Sequence, residues 1–111
     1  MYRSFKKPLI LLLVLLLTAC TSLRTSQEIQ LGKSNFEAGY YRDAFRQLLS
    51  PAIEGNAQAQ YAIGYMYYYG YGVPLDTETG SFWIKKAADQ HYQPAVQALA
   101  AMQKAKIGVD F

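Results

Sequence analysis

Few residues in this chain of 111 could do chemistry. One cysteine, Cys20, and one histidine, His91, are the only thiol and imidazole groups. A hydrolytic triad needs a nucleophile, a base and an orienting acid held together, and no motif gathers these around His91. A zinc site needs several ligands, which one histidine and one cysteine cannot supply. Asp76 and Glu78 fit the first turn of a helix, where acids complement the dipole, better than a carboxylate pair for glycan hydrolysis. Gly70-Tyr71-Gly72 closes a helix instead of opening one after a strand, the wrong polarity for phosphate. The chain is therefore read as a non-enzyme that needs no metal or cofactor. What remains is contact chemistry. Tyr61, Tyr65 and Tyr68 stand at i, i+4 and i+7, one stripe on a helix. Tyrosine offers a large apolar area at low entropic cost and keeps a hydroxyl for a ligand or for water. The stripe is a candidate partner-binding face; the competing use is packing against a neighbouring helix.

Cys20 takes its meaning from what precedes it. Arg3, Lys6 and Lys7 form a positive stretch, residues 9–17 are nine apolar side chains in a row, and Thr18 and Ala19 follow. This is the three-part layout of a secretory signal. The apolar stretch reaches only eleven residues even when counted to Ala19, whereas a transmembrane helix needs about 20. Leu17-Thr18-Ala19-Cys20 resembles the lipobox of bacterial lipoproteins. The resemblance implies diacylglycerol on the Cys20 sulfur, cleavage just before it, and acylation of the new amine. Thr21, where an Asp tends to retain such proteins at the inner membrane, implies the outer membrane, with the domain facing the periplasm. The alternative is an ordinary secreted protein with an unmodified cysteine. Lipidated, Cys20 would leave no free thiol, so the fold must stand on packing alone.

The net charge of +3 comes from the same segment. Without residues 1–19 the chain holds eight basic and eight acidic side chains. A neutral domain gives no electrostatic case for nucleic-acid binding.

Three segments follow: a signal peptide at 1–19, a lipidated start and polar tether at 20–27, and a helical domain at 28–111. The tether reading rests on the threonines, serines and arginine of 21–27. Beyond it the apolar spacing is helical, with no strand alternation. Five helices are expected: 26–38 ending at Gly39, a second from Tyr41 to Gly55 with a kink or break at Pro51, a third at 57–69 capped by Asn56, a fourth at 77–90 capped by Asp76, and a fifth from Gln93 ending before Gly108. An offset of 36 residues pairs Ala52 with Ala88, Ala59 with Ala95, Ala62 with Ala98, Met66 with Met102, and Gly72-Val73 with Gly108-Val109. It also sets His91 against Gly55, so His91 is read as a turn residue. Small residues recurring in phase are what close helix packing requires.

Residues 56–88 then resemble a known family, the SEL-one-like repeats, relatives of tetratricopeptide repeats. The resemblance is carried by Ala59, Ile63-Gly64, Met66-Tyr67, Gly70-Tyr71-Gly72-Val73, Asp76, Trp83 and Lys86-Ala87-Ala88. Gly80 departs from it, standing where the family has alanine, and reads as a weak point in its helix. The resemblance implies an all-α fold, a short α-solenoid of antiparallel helix pairs with about two repeats. It places Trp83 in the core and the first helix of each pair on a concave, partner-binding surface. Repeat arrays need about three units to cover their cores. A protein partner, the membrane or a homo-oligomer is expected to cover the rest. The function expected is a membrane-anchored protein-interaction scaffold of the bacterial cell envelope, held by lipid on Cys20; the alternative is a peptidoglycan- or cell-wall-associated accessory factor.

Overall fold

A computed structural model describes residues 6–109, with side chains through Lys106; Arg3 of the positive stretch lies outside the described residues. It is all-helical: α1 (Lys6–Glu37), α2 (Tyr41–Ile53), α3 (Ala57–Tyr69), α4 (Thr77–Asp89) and α5 (Gln93–Val109). Each helix packs on the next in sequence, so antiparallel pairs stack into a short solenoid. Helices α1, α3 and α5 form one face, and α2 and α4 form the other.

Local chemistry sets the boundaries. Asn56 accepts the Ala59 N–H at 2.9 Å and starts α3. Asp76 does the same for α4, accepting the Thr79 N–H at 3.0 Å and the Thr79 hydroxyl at 2.7 Å. These bonds hold the Asp76 carboxyl below the usual carboxylate range. Gly70 ends α3 in the left-handed region at φ 73°. His91 adopts φ 63° where the repeat elsewhere uses Gly55 at φ 103°, as a turn residue should.

Three expectations change. The first helix does not begin near Ser26: α1 runs through residues 21–27, the stretch read as a polar tether. Their hydroxyls find acceptors inside the helix: Thr21 and Ser22 donate to the Thr18 carbonyl, Thr25 to that of Thr21 and Ser26 to that of Ser22. The resulting helix is long and apolar enough to cross a membrane, although the apolar run within it is short. Pro51 does not break α2; the helix runs two residues past it to Ile53 with the proline ring buried, although proline has no N–H to give the carbonyl four residues back. The fifth helix does not stop before Gly108 but continues to Val109. The residue that stops α3 is Gly70, and its counterpart 36 residues on is Lys106, which does not favour the left-handed turn.

The core has two parts. Ile29, Ala44, Leu48, Ala52, Ala59, Ile63 and Met66 join α1, α2 and α3. Ile84, Ala87 and Ala95 join α4 to α5. Trp83 packs on the first cluster but is only half-buried, and Lys86 Nζ lies 5.3 Å from both its ring and that of Phe82.

Between the clusters α3 and α4 meet backbone to backbone. A Cβ on Gly64 would lie 2.8 Å from the Gly80 carbonyl oxygen, and a Cβ on Gly80 would lie 2.7 Å from both the Gly64 oxygen and the Tyr68 nitrogen. Gly80 is thus no weak point; it is what lets the helices touch. Alanine there gains about 1 kcal/mol in helix propensity but forces the backbones apart, and overpacking of this kind costs about 1–3 kcal/mol. Gly80→Ala is expected to lower the free energy of unfolding, read by chemical denaturation, against the sign that propensity alone would give.

Candidate functional site

The first helices of each pair build the site. On α3, positions 59, 63 and 66 turn inward and are fully buried. Tyr61, Tyr65 and Tyr68 are then half-buried on its remaining sides. The structure brings Tyr61 and Tyr65 together, with ring centroids 6.2 Å apart. They separate two apolar grooves. The first, about 250 Å³, runs between α1 and α3, walled by Ile29, Lys33 and Phe36 on one side and by Tyr61, Ala62 and Tyr65 on the other, with Tyr92 at its end. The second, about 260 Å³, runs between α3 and α5, and Tyr61, Tyr65, Tyr68 and Tyr69 face Ala98, Ala101, Met102 and Ala105 across it. Tyr68 belongs to the second groove alone. All three residues of the stripe therefore line the second groove, and Tyr61 and Tyr65 line the first as well.

Neighbours that sequence spacing did not single out hold the row in place. Tyr65 stacks on Tyr71 at 6.0 Å and 10° and lies 6.0 Å from Phe36, edge-on. Tyr71 also packs against Tyr41 at 4.8 Å, and Tyr61 against Tyr92 at 5.7 Å. Phe36, Tyr41 and Tyr92 come from three different segments. Phe36 was legible as an apolar residue near the end of the first helix, but its meeting with Tyr65 depends on the α1–α3 approach. Gly32 lets α1 approach α2, since an added Cβ there would fall 2.5 Å from the Leu48 side chain.

A polar clasp fixes the end of the first groove. The buried Gln60 donates its amide to the Ala52 carbonyl at 3.1 Å. Gln90, at the end of α4, donates to the Gln60 side-chain oxygen at 2.8 Å and to the Gly55 carbonyl at 2.9 Å. The α2–α3 turn is thereby tied to the start of the turn that carries Tyr92.

Residues 57–92 match the Sel1 repeat. The matched span is α3, α4 and the turn to Tyr92, the part that holds the glycine crossing and most of the tyrosine row. Fifty-nine residues, 52% of this chain, are 42% identical to "Protein sel-1 homolog 2" of Mus musculus, and the same holds for that protein of Rattus norvegicus. The chain spans only 9% of the length of these relatives. Sel1 repeats generally mediate protein–protein interaction, which agrees with a site built from apolar grooves and phenols. Lys85 and Lys86 are exposed, and Lys85 pairs with Asp89 at 3.0 Å. Among the described residues no three His, Cys, Asp or Glu side chains are grouped as metal ligands.

The groove leaves its mark on ionisation. Burial, reinforced by neighbouring phenols, raises Tyr61 and Tyr65 above the ordinary tyrosine value. A raised folded-state value means the neutral phenols stabilise the fold below the ordinary tyrosine pKa, and that this contribution is lost as pH climbs through the raised values. Alkaline titration of phenolate absorbance should therefore show a late-ionising fraction among the ten tyrosines. Tyr61→Phe and Tyr65→Phe should each shrink that fraction, and one common titration of the wild type would contradict the described environment.

Proposed function

We propose that this chain is a lipid-anchored scaffold of the bacterial cell envelope that holds a protein partner on the face made by α1, α3 and α5. The observation that carries the partner reading is the pair of apolar grooves flanking Tyr61 and Tyr65. Tyr61, Tyr65 and Tyr68 supply the contact area. Lys33 is the one charged residue lining the first groove, so a segment with an apolar side chain followed by an acidic group matches its chemistry. Phenols held neutral accept an apolar side chain without desolvating a charge.

Support for the anchor comes from α1. Its side chains from Leu9 to Leu17 are 54–66% exposed, and no described residue covers them. A run of this kind in water is costly at about 25 cal/mol per Å² of apolar surface. Cys20, exposed just after the run, is the proposed acyl acceptor, and Thr21 is consistent with sorting to the outer membrane and a domain in the periplasm. Two or more acyl chains suffice for stable attachment, where one does not.

Two experiments test the two halves separately. Metabolic labelling with a fatty-acid analogue should mark the wild-type protein and not Cys20→Ser; an unlabelled wild type would overturn the anchor, leaving α1 as a plain membrane span or an export signal. For the partner half, a photocrosslinker at position 65 should yield a defined protein adduct in cells, while one at Lys85 on α4 should not. The triple variant Tyr61→Ser, Tyr65→Ser, Tyr68→Ser should abolish that adduct, formed from a crosslinker placed at Ala62, with helicity retained. Loss of helicity would show instead that the row is a structural layer.

A further inference from the structure

The two grooves beside the tyrosine row are one site repeated. Ile29, Lys33 and Phe36 of α1 wall the first; Tyr61, Tyr65 and Tyr68 of α3, each 32 residues further on, wall the second. Leu48 lines the first groove and Ile84, 36 residues on, lines the second. By the same offset, Ala62 and Tyr65 of the first give way to Ala98 and Ala101 in the second. The loop between α3 and α4 is four residues longer than that between α1 and α2, which accounts for the two spacings. Packing agrees with this register. An added Cβ at Gly32 would meet Leu48 at 2.5 Å, and one at Gly64 would meet Ile84 at 2.7 Å. The volumes are alike too, about 250 and 260 Å³.

We infer that one partner segment in the polyproline II conformation crosses the row and fills both grooves. It carries apolar side chains three residues apart, and an acidic residue just past the one in the first groove. This rests on the reading of the row as a partner-binding face. Spacing selects the conformation. Rings of α1 and α3 touch, with the Phe36 and Tyr65 centroids 6.0 Å apart, and helices in contact lie about 8–10 Å apart. Successive grooves are offset by about that distance. A polyproline II chain has three residues per turn and rises about 3.1 Å per residue, so i and i+3 point the same way about 9 Å apart. A β-strand repeats its face every second residue, which gives about 7 Å or about 13 Å instead. Polyproline II also has no internal hydrogen bonds, so its carbonyls are open to the phenol hydroxyls of the row. Its preformed shape keeps the entropy lost on docking against aromatic rings low. Charge places the acid: Lys33 is exposed and is the only charged residue lining either groove. It stands on the α1 wall, on the far side of the first groove from α3. The second groove has no charge and has Ala101 where the first has the Tyr65 ring, so an apolar side chain of the partner takes the place of a ring.

The test uses the full chain in detergent micelles and fluorescein-labelled synthetic peptides, read by fluorescence anisotropy. The peptide Pro-Pro-Leu-Pro-Pro-Leu-Glu-Pro should bind. Pro-Pro-Leu-Pro-Pro-Pro-Leu-Glu, with the leucines four apart, should bind at least tenfold more weakly. Ala101→Trp, at an exposed position, fills the second groove and should weaken the first peptide at least tenfold with helicity unchanged. Lys33→Glu should reverse the preference between that peptide and its counterpart with Lys in place of Glu. Absence of binding, equal binding of the two spacings, or indifference to Ala101→Trp would each overturn the inference. So would equal binding of an alanine-based helical peptide with leucines seven apart. The partner reading is judged separately, by the adduct from a photocrosslinker at position 65. An adduct that excess peptide fails to displace would remove the polyproline II assignment and leave the partner reading standing; with neither adduct nor peptide binding, both fall.

Discussion

The contact on which the rest depends is the one between Gly64 and Gly80. Two helix backbones approach until a carbonyl oxygen of each occupies the place of the other's missing Cβ. That approach fixes both the distance between α3 and α4 and their register, since only one position on each helix can sit at the crossing. With the crossing fixed, Ile84 lands on Gly64, Ala87 is buried, and α5 is received against α4 through Ala95. The outward side of α3 is then determined as well. Positions 59, 63 and 66 are committed to the core, so Tyr61 and Tyr65 have no place but the divide between two grooves.

Much of this was legible before any coordinates. Asn56 and Asp76 announce helix starts because their side chains can accept an N–H three residues on, and both do. The recurrence of Ala52, Ala59 and Ala62 at a fixed offset gave the repeat, and with it the all-helical solenoid. Features set by distant partners were not legible. Gly80 looked like a helix breaker because a glycine's value at a crossing depends on the backbone opposite. Tyr92 and Phe36 looked unremarkable because their roles arise from segments some thirty residues away in the chain. The hydroxyl-rich stretch 21–27 was ambiguous on physical grounds: serine and threonine can bond to their own helix or to a turn, and composition does not say which.

The repeat is also held by polar bonds where apolar burial is thin. Gln60 is buried and would cost about 1–3 kcal/mol if its amide were unpaired. Gln90 and the Ala52 carbonyl satisfy it. Gln60 to Ala52 and Gln90 to Gly55 both reach from the α3–α4 pair to the end of α2 and its turn, so these bonds couple two neighbouring units directly, beyond the apolar stacking that joins them. Tyr92 is two residues further on, so the clasp also sets the end wall of the first groove.

Continuity of α1 bears on how a tethered domain would present its site. The helix that exposes Leu9 to Leu17 is the one that supplies Ile29, Gly32 and Phe36 to the core and the groove. A flexible linker over the nine residues from Cys20 to Ile29 would give a mean reach of about 15–18 Å in any direction. The helix spans about 14 Å over the same residues, at 1.5 Å each. The distance hardly differs, so what the helix adds is direction. Were Cys20 held at a surface, as proposed, a groove whose wall is part of the same helix would keep a set orientation to that surface. For a scaffold that must meet a partner near a membrane, a fixed orientation removes rotational freedom before binding and lowers the entropy lost on association.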